Sequence, residues 1–258
     1  MADFSGRVVI LTGATGGFGQ AAARYFANAG ANLVISDLAS DRLDALLEEL
    51  DGTAVAVSGD ISDPELSEQL VMKALTTFGR LDIAVNNAGI VHDMMPLPKL
   101  PVDVAQKVIN VDLMGVFYAM RAQLPVMEKR YRESGQGGAI VNVASVAGVV
   151  AAPMLSVYAA AKHGVVGLTK SAAIEYARRG VRINALCPSF ARTPMAMDFL
   201  DKAGKDRDQA EAAMVQAIPM RRLAEVDEVI AGLVFLADPA SSFVTGQTLQ
   251  IDGGLSAA

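Results

Sequence analysis

The chain contains no tryptophan, only 5% aromatic residues, one cysteine (Cys187) and two histidines (His92 and His163) among its 258 residues. A single cysteine excludes an internal disulfide, and neither histidine stands at metal-ligand spacing, so no metal is expected. Basic residues are in deficit, 22 Lys+Arg against 28 Asp+Glu, for a formal net charge of -6 and a sequence pI near 5.0. Without a basic field to attract phosphate backbones, nucleic acid is not an expected partner. No apolar run approaches the roughly 18 residues of a membrane span. The opening "MADFSGRVVILTG" sets an acid and an arginine around a short apolar run and lacks the features of a signal peptide. A cytoplasmic protein with no membrane partner is therefore expected. What the chain does have is 52% hydrophobic and 19% charged residues, enough to bury a sizeable core.

Seven short runs rich in β-branched residues punctuate the sequence, at 7–12, 32–36, 53–58, 81–86, 139–144, 181–186 and 248–251. Helix-length patterns lie between them at 18–29, 40–50, 64–77, 102–131, 157–178 and 226–237. The hydrophobic period thus switches repeatedly between strand and helix. That alternation predicts an α/β fold: a doubly wound parallel sheet of about seven strands, with right-handed crossovers and helices on both faces. Two helix starts carry cap signals, Ser40 ahead of "DRLDALLEEL" and Asp63 ahead of Pro64. No repeat, low-complexity tract or linker interrupts the chain, so one domain over 1–258 is expected.

Ligands of such sheets bind beyond the carboxyl ends of the strands, near the point where strand order reverses. After the first strand comes "TGATGGFGQ", with Gly13, Gly17 and Gly19 leading into a helix. A tight turn alone would also use glycine. At this position, however, glycines let the backbone approach a pyrophosphate at a helix N-terminus. Asp37 follows the second strand, where an acid can accept hydrogen bonds from an adenosine ribose and repel a 2'-phosphate. Leu38 adds no positive charge, and no basic residue is read nearby, which favours NAD over NADP. Asp60 and Ile61 after the third strand are weaker candidates, since Gly-Asp is ordinary turn chemistry. Tyr158 and Lys162 stand four apart in "SVYAAAKHGVVG" and share a helix face. A buried tyrosine beside a snorkelling lysine would give the same pattern.

Taken together, "TGATGGFG" (12–19), "NNAG" (86–89), Asn110 in "VINVDLMGVFYAM", Ser145 in "IVNVASVAG", "YAAAK" (158–162), "PSFARTPM" (188–195) and "IDGG" (251–254) resemble the short-chain dehydrogenase/reductase family. The resemblance is to its NAD(P)-dependent single-domain kind and spans nearly the whole chain. It implies a Rossmann-like fold, a catalytic set of Asn110, Ser145, Tyr158 and Lys162, and a homotetramer. The tetramer contacts would come from the helix at 102–131, the helix bearing Tyr158 and the last strand. It also implies that Lys162 holds the nicotinamide ribose and that Asn110 helps hold a water between Lys162 and solvent. Asn87 would steady the sheet while Ala88 and Gly89 let the cofactor approach. Thr193 would bond the nicotinamide carboxamide, and Thr15, Phe18 and Pro188 would complete the cofactor surface. Ser189 stands where many members have glycine, which leaves the local backbone open.

The chemistry fits these roles. Oxidising a secondary alcohol needs a base close to the hydroxyl, and free tyrosine, with a pKa of about 10, is a poor one. A neighbouring ammonium favours phenolate, which gives Lys162 a purpose beside Tyr158. Ser145 would hydrogen-bond the substrate oxygen; satisfying a strand end is its other reading. Met94, Met95, Met154, Met195 and Met197 recur in three loop segments that would line the pocket, and flexible thioethers suit a small to medium, apolar or cyclic substrate. The expected activity is NAD-dependent interconversion of a secondary alcohol and a ketone. The alternatives are a 3-oxoacyl-thioester reductase using NADPH and a non-catalytic nucleotide-binding regulator. His163 reads as a packed residue, and His92 as either a packed residue or a substrate contact.

Overall fold

The computed structural model describes residues 2–50, 54–202 and 206–257. Seven strands form one sheet: β1 (Val8–Thr12), β2 (Asn32–Ser36), β3 (Ala54–Ala56), β4 (Ile83–Asn86), β5 (Gly138–Val143), β6 (Val181–Pro188) and β7 (Thr248–Ile251). All neighbours pair in parallel, in the order β3-β2-β1-β4-β5-β6-β7. Every expected strand is present; Thr53, at the start of the third run, lies outside the described residues. The order reverses between β1 and β4, so their carboxyl ends open the crevice in which such sheets bind ligands.

Nine helices occur among the described residues: α1 (Gly17–Asn28), α2 (Ser40–Glu49), α3 (Pro64–Phe78), α4 (Val102–Ile109), α5 (Gly115–Ser134), α6 (Ser156–Tyr176), α7 (Pro194–Lys202), α8 (Arg207–Ala217) and α9 (Val226–Ala237). None is long and apolar enough to cross a membrane. Asp63 caps α3 as expected, its Oδ1 accepting the Glu65 N–H at 3.0 Å. Ser40 does not cap α2; the helix begins at Ser40 itself, with Ala39 in the cap position. The pattern at 102–131 is not one helix either. A widened π turn, Asn110–Met114, separates α4 from α5.

Alternation along the strands sends side chains to two cores. Val9 and Leu11 of β1 join Ala22, Phe26, Leu43, Leu46 and Leu233 under α1, α2 and α9. Val8 and Ile10 join Leu66, Leu70, Met120, Val165 and Val166 under α3, α5 and α6. Each large aliphatic so buried contributes about 1.5–3 kcal/mol, which is why continuous apolar strands specify a sheet covered on both faces.

Candidate active site

Two strand ends are tied together at the crevice. Thr12 Oγ1 accepts the N–H groups of Asn87 and Ala88, each at 3.1 Å, while Asn87 Nδ2 donates to the carbonyls of Thr12 and Gly13 at 3.1 and 3.0 Å. Gly13 has φ +65°, and a Cβ there would lie 2.8 Å from Ala88 Cα. The turn therefore needs glycine both for its backbone and for its closeness to the "NNAG" segment. A Cβ on Gly19 would strike the Gly13 carbonyl, so α1 starts hard against the turn. Gly16 caps α1 without any side-chain hydrogen bond, leaving the first N–H groups of the helix for an anion. Phe18, in that first turn, packs half-buried on the core.

Asp37, just past β2, is drawn onto this turn. Its Oδ2 accepts from Thr15 N (2.9 Å) and Thr15 Oγ1 (2.7 Å), and its Oδ1 from Leu38 N (2.8 Å). A carboxylate has about four acceptor sites, so capacity remains for a ribose hydroxyl. Leu38 is exposed beside it. One sequence expectation is corrected here: a basic residue does stand nearby. Arg42, in the first turn of α2, folds back so that its Nη2 donates to the Thr15 carbonyl at 3.0 Å. Asp60 uses its Oδ1 on Ser62 N and Oγ, holding its own turn, and Ile61 is buried against Gly115.

At the other side of the crevice, Lys162 is buried in the wall of α6, with its Nζ 3.3 Å from the Val143 carbonyl and 5.6 Å from the centroid of the Tyr158 ring. Tyr158 is half-buried one turn earlier on the same helix face. Ser145, two residues beyond β5, is half-buried, and its Oγ accepts the Ala147 N–H at 3.1 Å. That bond satisfies the strand end while leaving the hydroxyl proton free to donate. A Cβ on Gly148 would lie 2.7 Å from the Lys162 carbonyl, so the turn after Ser145 rests directly on α6.

Asn110 opens the π turn. It is half-buried, with its Oδ1 accepting from Gln106 Nε2 at 2.8 Å. Two residues on in the same turn, Asp112 meets the lysine directly, with Oδ2 3.2 Å from Lys162 Nζ. Asp112 is fully buried, and its Oδ1 accepts the Ile90 N–H at 2.8 Å. Burial pushes the Asp112 carboxyl above its ordinary range, an effect that Lys162 and the Ile90 N–H only partly offset. Burial is the largest single influence on Lys162 and works against its charge, but Asp112, Tyr158 and Cys187 together outweigh it and hold the ammonium above the usual lysine range. The two side chains thus meet as a close, buried acid–base pair. Gly89 closes it from above: a Cβ there would be 3.1 Å from Lys162 Nζ.

Nothing in the sequence reading singled out Asp112, although a carboxylate inside "VINVDLMGVF" signals a buried acid in need of a partner. The polar chain behind it was missed as well. Gln123 Nε2 donates to Asn86 Oδ1 (2.9 Å), Asn86 Nδ2 to Asn142 Oδ1 (2.8 Å) and Asn142 Nδ2 to Thr169 Oγ1 (2.9 Å), which pins α5 and α6 to the middle of the sheet.

The remaining candidates surround the mouth. Met94, Met154 and Met195 are exposed and Met95 is half-buried, with its N–H donating to the Met154 carbonyl at 3.0 Å. Met154 itself has φ +68°. Thr193 is buried and caps α7 weakly, its Oγ1 accepting from Ala196 N at 3.3 Å, while its methyl would touch a Cβ on Gly17. The segment bearing Thr193 therefore reaches across to the glycine turn. Pro188 ends β6 beside buried Cys187, whose thiol burial pushes up to about 11. Ser189 takes an ordinary backbone, donating its N–H to Ile251 at 3.1 Å. His163 is exposed, with Nδ1 2.9 Å from the Ala159 carbonyl. His92 is buried, with Nδ1 2.8 Å from the Asp93 carbonyl. A separate cavity of about 370 Å³ near β7, lined by Ser189, Met220, Glu228 and Asp252, contains none of the residues expected to act.

The family model described as enoyl-(acyl carrier protein) reductase, adh_short_C2, matches residues 13–256. The chain is 38% identical to the cyclohexanol dehydrogenase of Acinetobacter sp. (strain SE19), across 97% of this chain and 95% of that protein. It is also 38% identical to the 3-oxoacyl-acyl-carrier-protein reductase of Thermotoga maritima, across 97% and 98%. The crystal structure of levodione reductase superposes with a TM-score of 0.93 at 36% identity, covering 99% of both chains. Of other solved neighbours, one is complexed with NADH and another has NADP bound. The seven-stranded sheet, the glycine turn facing "NNAG" and these full-length matches agree: the chain is an oxidoreductase of the short-chain dehydrogenase/reductase family.

Proposed function

We propose that this chain is an NAD-dependent dehydrogenase interconverting a secondary alcohol and its ketone, on a small to medium substrate that is mostly apolar and cyclic. The observation that carries the reading is the Tyr158–Lys162 pair, with the buried ammonium 5.6 Å from the phenol ring, at the strand ends where the glycine turn also opens. The residues fit a dinucleotide: Gly13 and Gly19 leave no room for a Cβ, and the start of α1 keeps unpaired N–H groups. When bound, NAD supplies the acceptor for the hydride that leaves the carbinol carbon. The chain's own groups do the rest. Ser145 donates its free hydroxyl proton to the substrate oxygen and fixes it. Tyr158 takes the hydroxyl proton as general base, and the charge on Lys162 stabilises the phenolate that accepts it. Lys162 also holds the nicotinamide ribose, and Thr193 the carboxamide.

Asp37 supports NAD, since a 2'-phosphate would meet its carboxylate. The exposed methionines Met94, Met154 and Met195 support an apolar substrate, as do the cyclic alcohol and dione named for the relatives. A second reading has its own observation. Arg42, 3.0 Å from the Thr15 carbonyl, places a cation beside the adenosine end, which favours an NADPH-using 3-oxoacyl-thioester reductase. Comparing kcat/KM for NAD and NADP with cyclohexanol, and for NADH and NADPH with a 3-oxoacyl thioester, separates the two. Equal or better use of the phosphorylated cofactor would overturn the NAD assignment. We also place the protein in the cytoplasm as a homotetramer. Exposed Val102, Phe117 and Ile174 on α4, α5 and α6 support that assembly; light scattering that finds only monomer would refute it.

A further inference from the structure

Asp112 sets a buried carboxyl group 3.2 Å from the ammonium that stands beside Tyr158. Its carboxylate has no exposed surface, Oδ1 is held by the Ile90 N–H at 2.8 Å, and Oδ2 lies 3.2 Å from Lys162 Nζ without a well-aligned hydrogen bond. Lys162 Nζ is fixed from a second side by the Val143 carbonyl, and from above by Gly89, where a Cβ would stand 3.1 Å from the nitrogen and 3.5 Å from the carboxylate. The groups whose charge reaches Lys162 are Asp112 from the π turn, Tyr158 from its own helix and Cys187 from β6. Burial keeps the Cys187 thiol protonated near neutral pH, and the ring of His163 bonds its own helix at the Ala159 carbonyl. Asp112 is therefore the one carboxyl among these groups, and it stands 3.2 Å from the ammonium.

A lone buried ammonium 5.6 Å from the ring would act on the phenol as a full charge. Paired with a carboxylate at 3.2 Å, it acts as a dipole, whose field at the phenol is weaker. We propose that Asp112 is a positioning residue, the fixed counter-charge of Lys162, so that Tyr158 works beside an ion pair and alcohol oxidation turns on at a higher pH than it would with a neutral residue at 112. The inference rests on Tyr158 being the base, and its test does not need turnover.

The experiment is a spectrophotometric titration of tyrosinate in wild type and in Asp112→Asn, each read as the difference from the same protein carrying Tyr158→Phe, so that only the Tyr158 signal remains. The Asp112→Asn signal should appear about one pH unit or more below that of wild type, the scale on which a charge within a few ångströms acts. The acid limb of kcat for alcohol oxidation should move in the same direction by a similar amount. Asp112→Ser, also uncharged, should repeat the shift and serves if the asparagine variant does not fold. A signal that stays within ~0.3 units of wild type, or that moves to higher pH, overturns the proposal. A shifted signal in a protein that oxidises no alcohol supports the charge pairing and refutes the proposed activity instead.

Discussion

Two aspartates are buried at opposite ends of β4, and the sheet treats them differently. Asp82, just before the strand, accepts from Arg7 at 3.1 Å, Arg80 at 2.7 and 2.8 Å, and the Val8 N–H at 3.0 Å, and it lies 2.8 Å from Arg130. Burial raises its carboxyl, but hydrogen bonds from Arg80 and Val8 and the charge of Arg130 more than compensate, leaving it below the ordinary range. Asp112, past the other end, has one cation and one N–H, and burial wins. Surplus partners make the first site a rivet between β1, β4 and α5. The second keeps its groups under tension, which is where proton chemistry is found.

Breaking the active end should have the largest effect. Lys162→Ala strands Asp112 without its cation and removes the charge beside Tyr158, so turnover should fall at least ~100-fold and NADH binding should weaken as well. Steady-state rates and a fluorescence titration with NADH check both; unchanged NADH affinity would remove Lys162 from the ribose.

Breaking the structural end should cost stability and leave chemistry alone. Asp82→Asn leaves three arginines facing a neutral amide, a loss of about 3 kcal/mol, or roughly 6–12 °C in Tm, with near-normal kcat in the folded enzyme. Because the Asp82 carboxyl sits below its unfolded value, its contribution is fully present above about pH 4 and is lost as pH falls through the folded value. The stability of wild type measured by chemical denaturation should therefore fall below pH 4, and that dependence should flatten in Asp82→Asn. An identical acid dependence would contradict the rivet.

The smallest expected effect lies at the adenosine end. Asp37→Ala should raise the kcat/KM ratio of NADP over NAD at least ~10-fold, because it removes both the like-charge repulsion of a 2'-phosphate and the acceptor for the ribose hydroxyls, at a small cost in stability from the lost bonds to Thr15 and Leu38. Adding Arg42→Ala should give back part of that gain, and no reversal would clear Arg42 of any part in cofactor choice.

The legibility of the sequence divides along the same line. Strands and crossovers were readable because each depends on local pattern: Val, Ile and Leu fill β1 and β2, and turn residues bound them. The glycine turn and the Tyr158–Lys162 spacing were readable for the same reason. The break at Asn110–Met114 was not, since apolar periodicity runs through it, and the turn is held open by contacts made with Ile90 and Lys162, far along the chain. The family resemblance pointed to Asn110; asking which residue could answer a buried lysine would also have found Asp112. Arg42 escaped because only Leu38 and the glycine turn itself were weighed for charge, whereas α2 folds its first turn back onto Thr15. Helices α7 and α8 fall outside the helix-length patterns read from the sequence, and α8 has no buried residue to mark a face.

The central claim is that Tyr158 carries the proton while the rest of the site carries the cofactor. Its most direct test is Tyr158→Phe, with kcat for NAD-dependent cyclohexanol oxidation and Kd for NADH measured on the same folded preparation. The account predicts that turnover falls at least ~100-fold while NADH affinity stays within about two-fold of wild type. A folded Tyr158→Phe enzyme that keeps near-normal kcat would contradict it.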